Sequence, residues 1–211
     1  MRGIRTDRGL DRLVNFTDAA VAIAITLLVL PLVDLVTEGS SRSVRSLLTD
    51  GGETFLAFAI SYVVIARFWV RHHRVFEHLQ DYSTALLGAN FLWLASIVLL
   101  PFTTQVLADE GTGDPAVNAL YISTMVVTTF SVLLIEWLVV RDPDLQRPEV
   151  RGTLSLWGAA VALGLHLLVL VLVVVLPGVG MFWLLLLLLS RPLEWRRRRT
   201  SPTGTGAGEA G

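Results

Sequence analysis

The chain has 211 residues, 53% hydrophobic and 17% charged, with a mean hydropathy of +0.63, a balance outside the range of soluble domains that points to a membrane protein. It contains no cysteine, which excludes disulfides, thiolate catalysis and thiolate-bound metals. Its 17 basic residues, all arginine, stand against 18 acidic ones for a formal charge of −1, so net charge says nothing about partners and only the distribution of charge is informative.

A bilayer core about 30 Å thick demands roughly 20 apolar residues per helix. In chain order, runs that meet this demand fall at 16–36, 54–71, 84–107, 116–140, 153–176 and 179–195, predicting an all-α membrane domain of six transmembrane helices over 1–195. The sixth is the shortest, since only Val179–Leu189 is continuously apolar, and Pro177 and Gly178 make a tight turn before it. Residues 196–211 form a basic and then disordered cytoplasmic tail, in which Arg196–Arg199 meets anionic lipid headgroups and the segment from Thr200 has the composition of a disordered chain. A secretory signal peptide competes for the first run. Its length, its opening Asp18 and the absence of a small-residue cleavage site after Pro31 favour a retained span.

Arginine distribution orients the chain. Fourteen of the 17 arginines lie in the N-terminus, the second and fourth loops and the C-terminus, whereas the first loop holds Arg42 and Arg45, and Arg67 lies within a span. The positive-inside rule then puts both termini in the cytoplasm of a multi-pass protein of the cell membrane.

Charged and polar residues inside the spans each need a partner, a cavity or an interface. Asp18 begins the first span in R-x-x-x-F-T-D (Arg12, Phe16, Thr17, Asp18); capping and pairing with a neighbouring helix are both open. Trp69 lies three and four residues before His72 and His73, at the same expected level as Asp18. A metal site of His72, His73, His78 and Asp18 lacks any sharp ligand spacing. Asn90 is placed to bond across helices, Glu136 sits beside Trp137 and Arg141 where interfacial pairing explains it, and His166 lies mid-span without a chain of titratable partners. The loops hold no nucleophile elbow, P-loop or dinucleotide fingerprint, so an enzyme is not expected; neither a cofactor nor a nucleic-acid partner is expected.

These residues resemble a known family, the transmembrane protein 175 potassium channels. The first span is similar to that family's R-x-x-x-F-S-D motif followed by A-I-A-I-T-L-L-V-L, through Arg12, Phe16, Thr17, Asp18 and then Ala22–Leu30. Ser61, Trp69, His72 and His73 resemble its second-span pattern, and Asn90, Leu94 and Leu100–Phe102 its third. The resemblance implies a homotetramer whose first helix lines a central pore conducting potassium, with weak discrimination, through side chains and without a carbonyl filter. It implies constrictions at Ile23, Leu27 and Leu30, a selectivity ring at Thr26, and a network of Arg12, Phe16, Thr17, Asp18, Trp69, His72 and Asn90 that joins the first three spans. The spacing i, i+3, i+4, i+7 independently puts the four pore residues on one stripe; packing of that stripe inside its own chain is the alternative. Seven acidic residues (Asp34, Glu38, Asp50, Glu53, Asp109, Glu110, Asp114) face only Arg42 and Arg45 at the outer side, a negative mouth that concentrates cations. Pro31 departs from the expected pattern by removing the amide that would bond the Leu27 carbonyl. The competing readings are a proton-coupled transporter using Asp18, His72 or His73, and Glu136, and a non-conducting scaffold.

Overall fold

A computed structural model describes residues 7–37, 51–111 and 113–176. Among them run six α-helices, α1 (Asp7–Leu27), α2 (Leu30–Thr37), α3 (Gly52–Phe76), α4 (Thr84–Glu110), α5 (Pro115–Arg141) and α6 (Trp157–Val175), with two short 3-10 turns at Pro143–Leu145 and Pro148–Val150. Residues Arg8–Thr37, which include α2, form one crossing, so five segments are long and apolar enough to span a membrane. The expected sixth run, 179–195, and Arg196–Arg199 lie outside the described residues, as do Glu38, Arg42, Arg45 and Asp50 of the first loop. The five described spans overlap the first five expected runs, but α1 starts at Asp7 rather than near 16, and α3 continues to Phe76. Arg71 and Arg74, read from sequence as loop residues, are therefore helical.

Local chemistry sets the helix ends. The Ser83 hydroxyl accepts the Leu86 amide at 3.1 Å to open α4, and Asp114 accepts the Ala116 amide at 2.8 Å to open α5, with Pro115 in the first turn where no amide is needed. Gly111 closes α4 with φ of 75°, a conformation that costs a residue with a Cβ.

α4 and α5 form the centre, α6 packs on α5, and α1 and α3 lie against α4. The central helices bury residues on several sides, whereas α1 buries a single line of Leu10, Leu13, Thr17, Val21 and Ala24, continued by Leu28 in the turn just beyond its end. Trp93, Ile97, Leu100, Met125 and Val132 fill the middle. The buried hydroxyls of Thr124, Thr128, Thr129 and Ser131 on α5 each donate to a carbonyl four residues earlier, which is how a threonine enters an apolar interior without an unmet donor.

Pro31 has a visible effect. α1 stops at Leu27, Leu28 and Val29 form a turn in which the Val29 amide reaches back to Thr26 at 3.2 Å, and the i to i−4 pattern resumes when the Val33 amide bonds Val29 at 3.1 Å. The proline then sits second in α2, in a first turn that tolerates it.

The α3–α4 and α5–α6 connections are fastened together. Leu79 and Gln146 form an antiparallel bridge, the Arg147 guanidinium donates to the Leu79 carbonyl at 3.0 Å, and the Gln146 amide donates to the Val139 carbonyl at 2.7 Å. Tyr82 covers Gly9 so closely that a Cβ there would meet its hydroxyl at 2.8 Å, which ties the start of α1 to the same platform.

Candidate functional site

The polar residues of the first three spans meet in one layer where α1, α3 and α4 come together. The Thr17 hydroxyl, fully buried, donates to the Leu13 carbonyl at 2.8 Å. With its proton so used, its oxygen accepts the Asn90 amide Nδ2 at 3.0 Å. That fixes the orientation of Asn90, whose Oδ1 is left to accept from His72 Nε2 at 2.7 Å. An amide oxygen cannot donate, so Nε2 of His72 carries the proton. The imidazole is held flat between Phe76 and Trp93, with ring centroids 4.1 and 3.9 Å away. Bond polarity thus runs in one sense from α3 through α4 to α1.

Beside it the Trp69 indole N–H donates to Asp18 Oδ1 at 2.8 Å, and Trp69 stacks on His73 at 5.2 Å. A hydrogen bond to a charged acceptor contributes about 1.5–3 kcal/mol. Thr17, Asp18, Trp69, His72 and Asn90 are therefore brought together. Arg12 is exposed and outside this layer, and Phe16, also exposed, reaches α4 through Phe91, which it meets edge-on at 6.2 Å.

Two further constellations were not legible as such. Arg71 grips the buried Glu136 with Nε to Oε1 at 3.0 Å and Nη2 to Oε2 at 3.2 Å. Proximity in sequence had paired Glu136 with Arg141, but Arg141 lies over the Trp137 ring at 5.0 Å instead. Eleven residues before His72 on α3, or about 16 Å away, Ser61 sits 3.1 Å from the Tyr121 hydroxyl and 2.8 Å from Thr104 Oγ1, a buried hydroxyl cluster joining α3, α4 and α5. Ser61 was noticed in the sequence; Tyr121 and Thr104 carried no spacing that would single them out.

Asp18, His72 and Glu136 each engage a different partner, and no hydrogen bond links the three to one another among the described residues. His166 lies apart, its Nδ1 2.7 Å from the Ala162 carbonyl. No group of three acidic or histidine side chains is placed to hold a metal among the described residues.

The opposite face of the first crossing is the open one, running from α1 across the turn at Leu28 and Val29 to Leu30 at the start of α2. Ile23, Leu27 and Leu30 are 60%, 39% and 49% exposed, and Thr26 between them is exposed, with its hydroxyl donated to the Ile23 carbonyl at 2.8 Å. The Thr26 oxygen therefore presents lone pairs and no proton to whatever lies beside it.

A one-sided first helix fastened by a polar layer to an all-helical bundle with five membrane-length spans defines an integral membrane protein. Residues 12–101 match the family model described as endosomal/lysosomal potassium channel TMEM175. A potassium channel of Streptomyces collinus is 30% identical over 152 residues, covering 67% of this chain and 72% of its own. One from Chamaesiphon minutus is 38% identical over 103 residues, 46% of this chain and 49% of its own. The human endosomal/lysosomal proton channel TMEM175 is 31% identical over 102 residues, 45% of this chain and 20% of its own. The crystal structure of a lysosomal potassium-selective channel TMEM175 homolog from Chamaesiphon minutus superposes with a TM-score of 0.60 at 24% identity, over 87% of this chain and 99% of that one, and so shares the fold. The chain belongs to the TMEM175 family.

Proposed function

We propose that this protein is a cation channel of the cell membrane that favours potassium weakly over sodium, formed by four copies whose first helices surround the pore. The observation that carries this reading is the division of the first crossing, α1 with the turn and the start of α2, into two faces. Leu10, Leu13, Thr17, Val21, Ala24 and Leu28 are buried on its own chain, while Ile23, Thr26, Leu27 and Leu30 are left open. Family membership and the potassium channels among the relatives support it.

In this reading Ile23, Leu27 and Leu30 from four subunits form apolar necks that dewet when narrow and pass a partly hydrated cation when the helix tilts. The Thr26 oxygens replace some of the lost hydration. The Thr17–Asn90–His72 chain and the Trp69–Asp18 bond hold α1 in register, so that the pore face stays aimed at the axis. Asp34, Glu53, Asp109, Glu110 and Asp114 make the outer mouth negative, both termini lie in the cytoplasm, a sixth span follows α6, and Arg196–Arg199 rests on anionic headgroups.

Potassium-gradient flux into liposomes holding the purified protein tests this. The wild type is expected to carry potassium at a rate above protein-free vesicles, and Thr26→Val to lose much of its preference over sodium while still conducting. Absence of flux would sink the channel reading; an unchanged preference in Thr26→Val would remove only Thr26 from selectivity.

A further inference from the structure

α3 carries an outward stripe that neither the polar layer nor the pore face uses. Leu56, Ala59, Val63, Arg67, Val70 and Arg74 recur at helical spacing and all are exposed. The stripe is apolar over its first half and then basic. Arg67 lies one turn before Arg71, whose bond to Glu136 falls at the level of the exposed Trp137, and Arg74 lies about 10 Å beyond Arg67. Arg67 thus stands just inside the apolar layer and Arg74 at its border, next to the loops that the arginine distribution puts in the cytoplasm.

Neither guanidinium has a carboxylate partner among the described residues. Of the nearby acids, Glu136 is engaged by Arg71 and Asp18 by Trp69, while the exposed Glu77, one turn below, lies 3.4 Å from His73. An unpaired arginine on an apolar helix face is costly in hydrocarbon, and its side chain relieves the cost by extending toward the headgroups. There its planar set of donors matches phosphate oxygens.

We infer that Arg67 and Arg74 form a binding site on the outward face of α3 for the headgroup phosphate of an anionic phospholipid of the inner leaflet. Val70 spaces the two guanidiniums, and Val63 and Leu56 provide an apolar track for an acyl chain. The charge complementarity selects anionic over zwitterionic lipid, each arginine near the surface contributing about fivefold. The site depends on membrane placement and not on conduction.

Native mass spectrometry of the full chain, extracted in mild detergent with equal phosphatidylglycerol and phosphatidylcholine, tests it. The wild type is expected to retain phosphatidylglycerol preferentially, Arg74→Gln to lower that preference about fivefold, and Arg67→Gln/Arg74→Gln about 25-fold, whereas Arg8→Gln, an exposed arginine outside the stripe, leaves it unchanged. If the double variant does not fold, the Arg74→Gln result decides alone. No lipid preference in the wild type, or a preference equal in the variants, overturns the site. So does loss of assembly in Arg67→Gln with the lipid preference intact, which would give the stripe to a neighbouring copy.

Discussion

At the scale of single residues, the decisive feature is the direction of hydrogen bonds through Thr17, Asn90 and His72. Each polar atom in the chain has one role left open to it once its neighbour is satisfied, so that Leu13, Thr17, Asn90 and His72 define one another's orientation. The layer is intolerant of shape-conserving changes that delete a polar atom. Thr17→Val keeps the volume but leaves Asn90 Nδ2 without an acceptor in a buried site, a loss of about 1–3 kcal/mol. Thr17→Ser keeps both bonds and is expected to stay near the wild type. Thermal unfolding of the purified protein in detergent checks this, and a Thr17→Val midpoint equal to that of Thr17→Ser would show that the layer does not depend on the hydroxyl.

At the scale of elements, α1 and α2 differ from an uninterrupted span because of one residue. Pro31 withholds an amide from Leu27, and the chain responds with a tight turn at Leu28 and Val29 before helix resumes. Pro31→Ala restores that amide and is expected to slow hydrogen exchange of the amides from Leu28 to Leu32 about tenfold, corresponding to a little over 1 kcal/mol of local stability. Unchanged exchange there would place the origin of the break in packing against α3 instead. The elements were largely readable beforehand, since long apolar runs and Pro31 each state a physical requirement, whereas the caps at Ser83 and Asp114 emerge only from the structure. The helix starts were less so. α1 begins nine residues before its apolar run, because Leu10 and Leu13 continue the buried line through a segment whose arginines read as a tail, and α3 outlasts its apolar run because Arg71, His72 and Arg74 are helical.

For the whole molecule, the two polar layers sit on either side of an apolar middle. Thr17, Asp18, Trp69, His72 and Asn90 form one layer, and Ser61, Thr104 and Tyr121 the other, with Ile65, Trp93, Ile97 and Leu100 between. Interhelical hydrogen bonds in a membrane are each modest, roughly 0.6–2 kcal/mol, so what they supply here is register between helices whose apolar faces would otherwise slide. Sequence reading reached Asp18, Trp69, His72 and Asn90 because polar residues in an apolar run stand out. It did not reach the Arg71–Glu136 pair or the Tyr121–Ser61 contact, since such partners are 65 and 60 residues apart and no local spacing connects them. Arg12 shows the converse: motif membership drew it in, and the fold leaves it exposed, outside the polar layer.

The central claim is that the open stripe of α1 faces a water-filled ion path. The chain contains no cysteine, so single cysteines can be introduced without a competing background. Potassium flux through liposomes bearing Ile23→Cys or Thr26→Cys, before and after a charged methanethiosulfonate reagent, measures the claim directly. Modification is expected to cut flux at least tenfold at these two positions and to leave it unchanged at Glu149→Cys, exposed in the connection between α5 and α6. Flux untouched by modification of Ile23→Cys and Thr26→Cys, in protein shown to be labelled, would contradict a pore lined by the first helix.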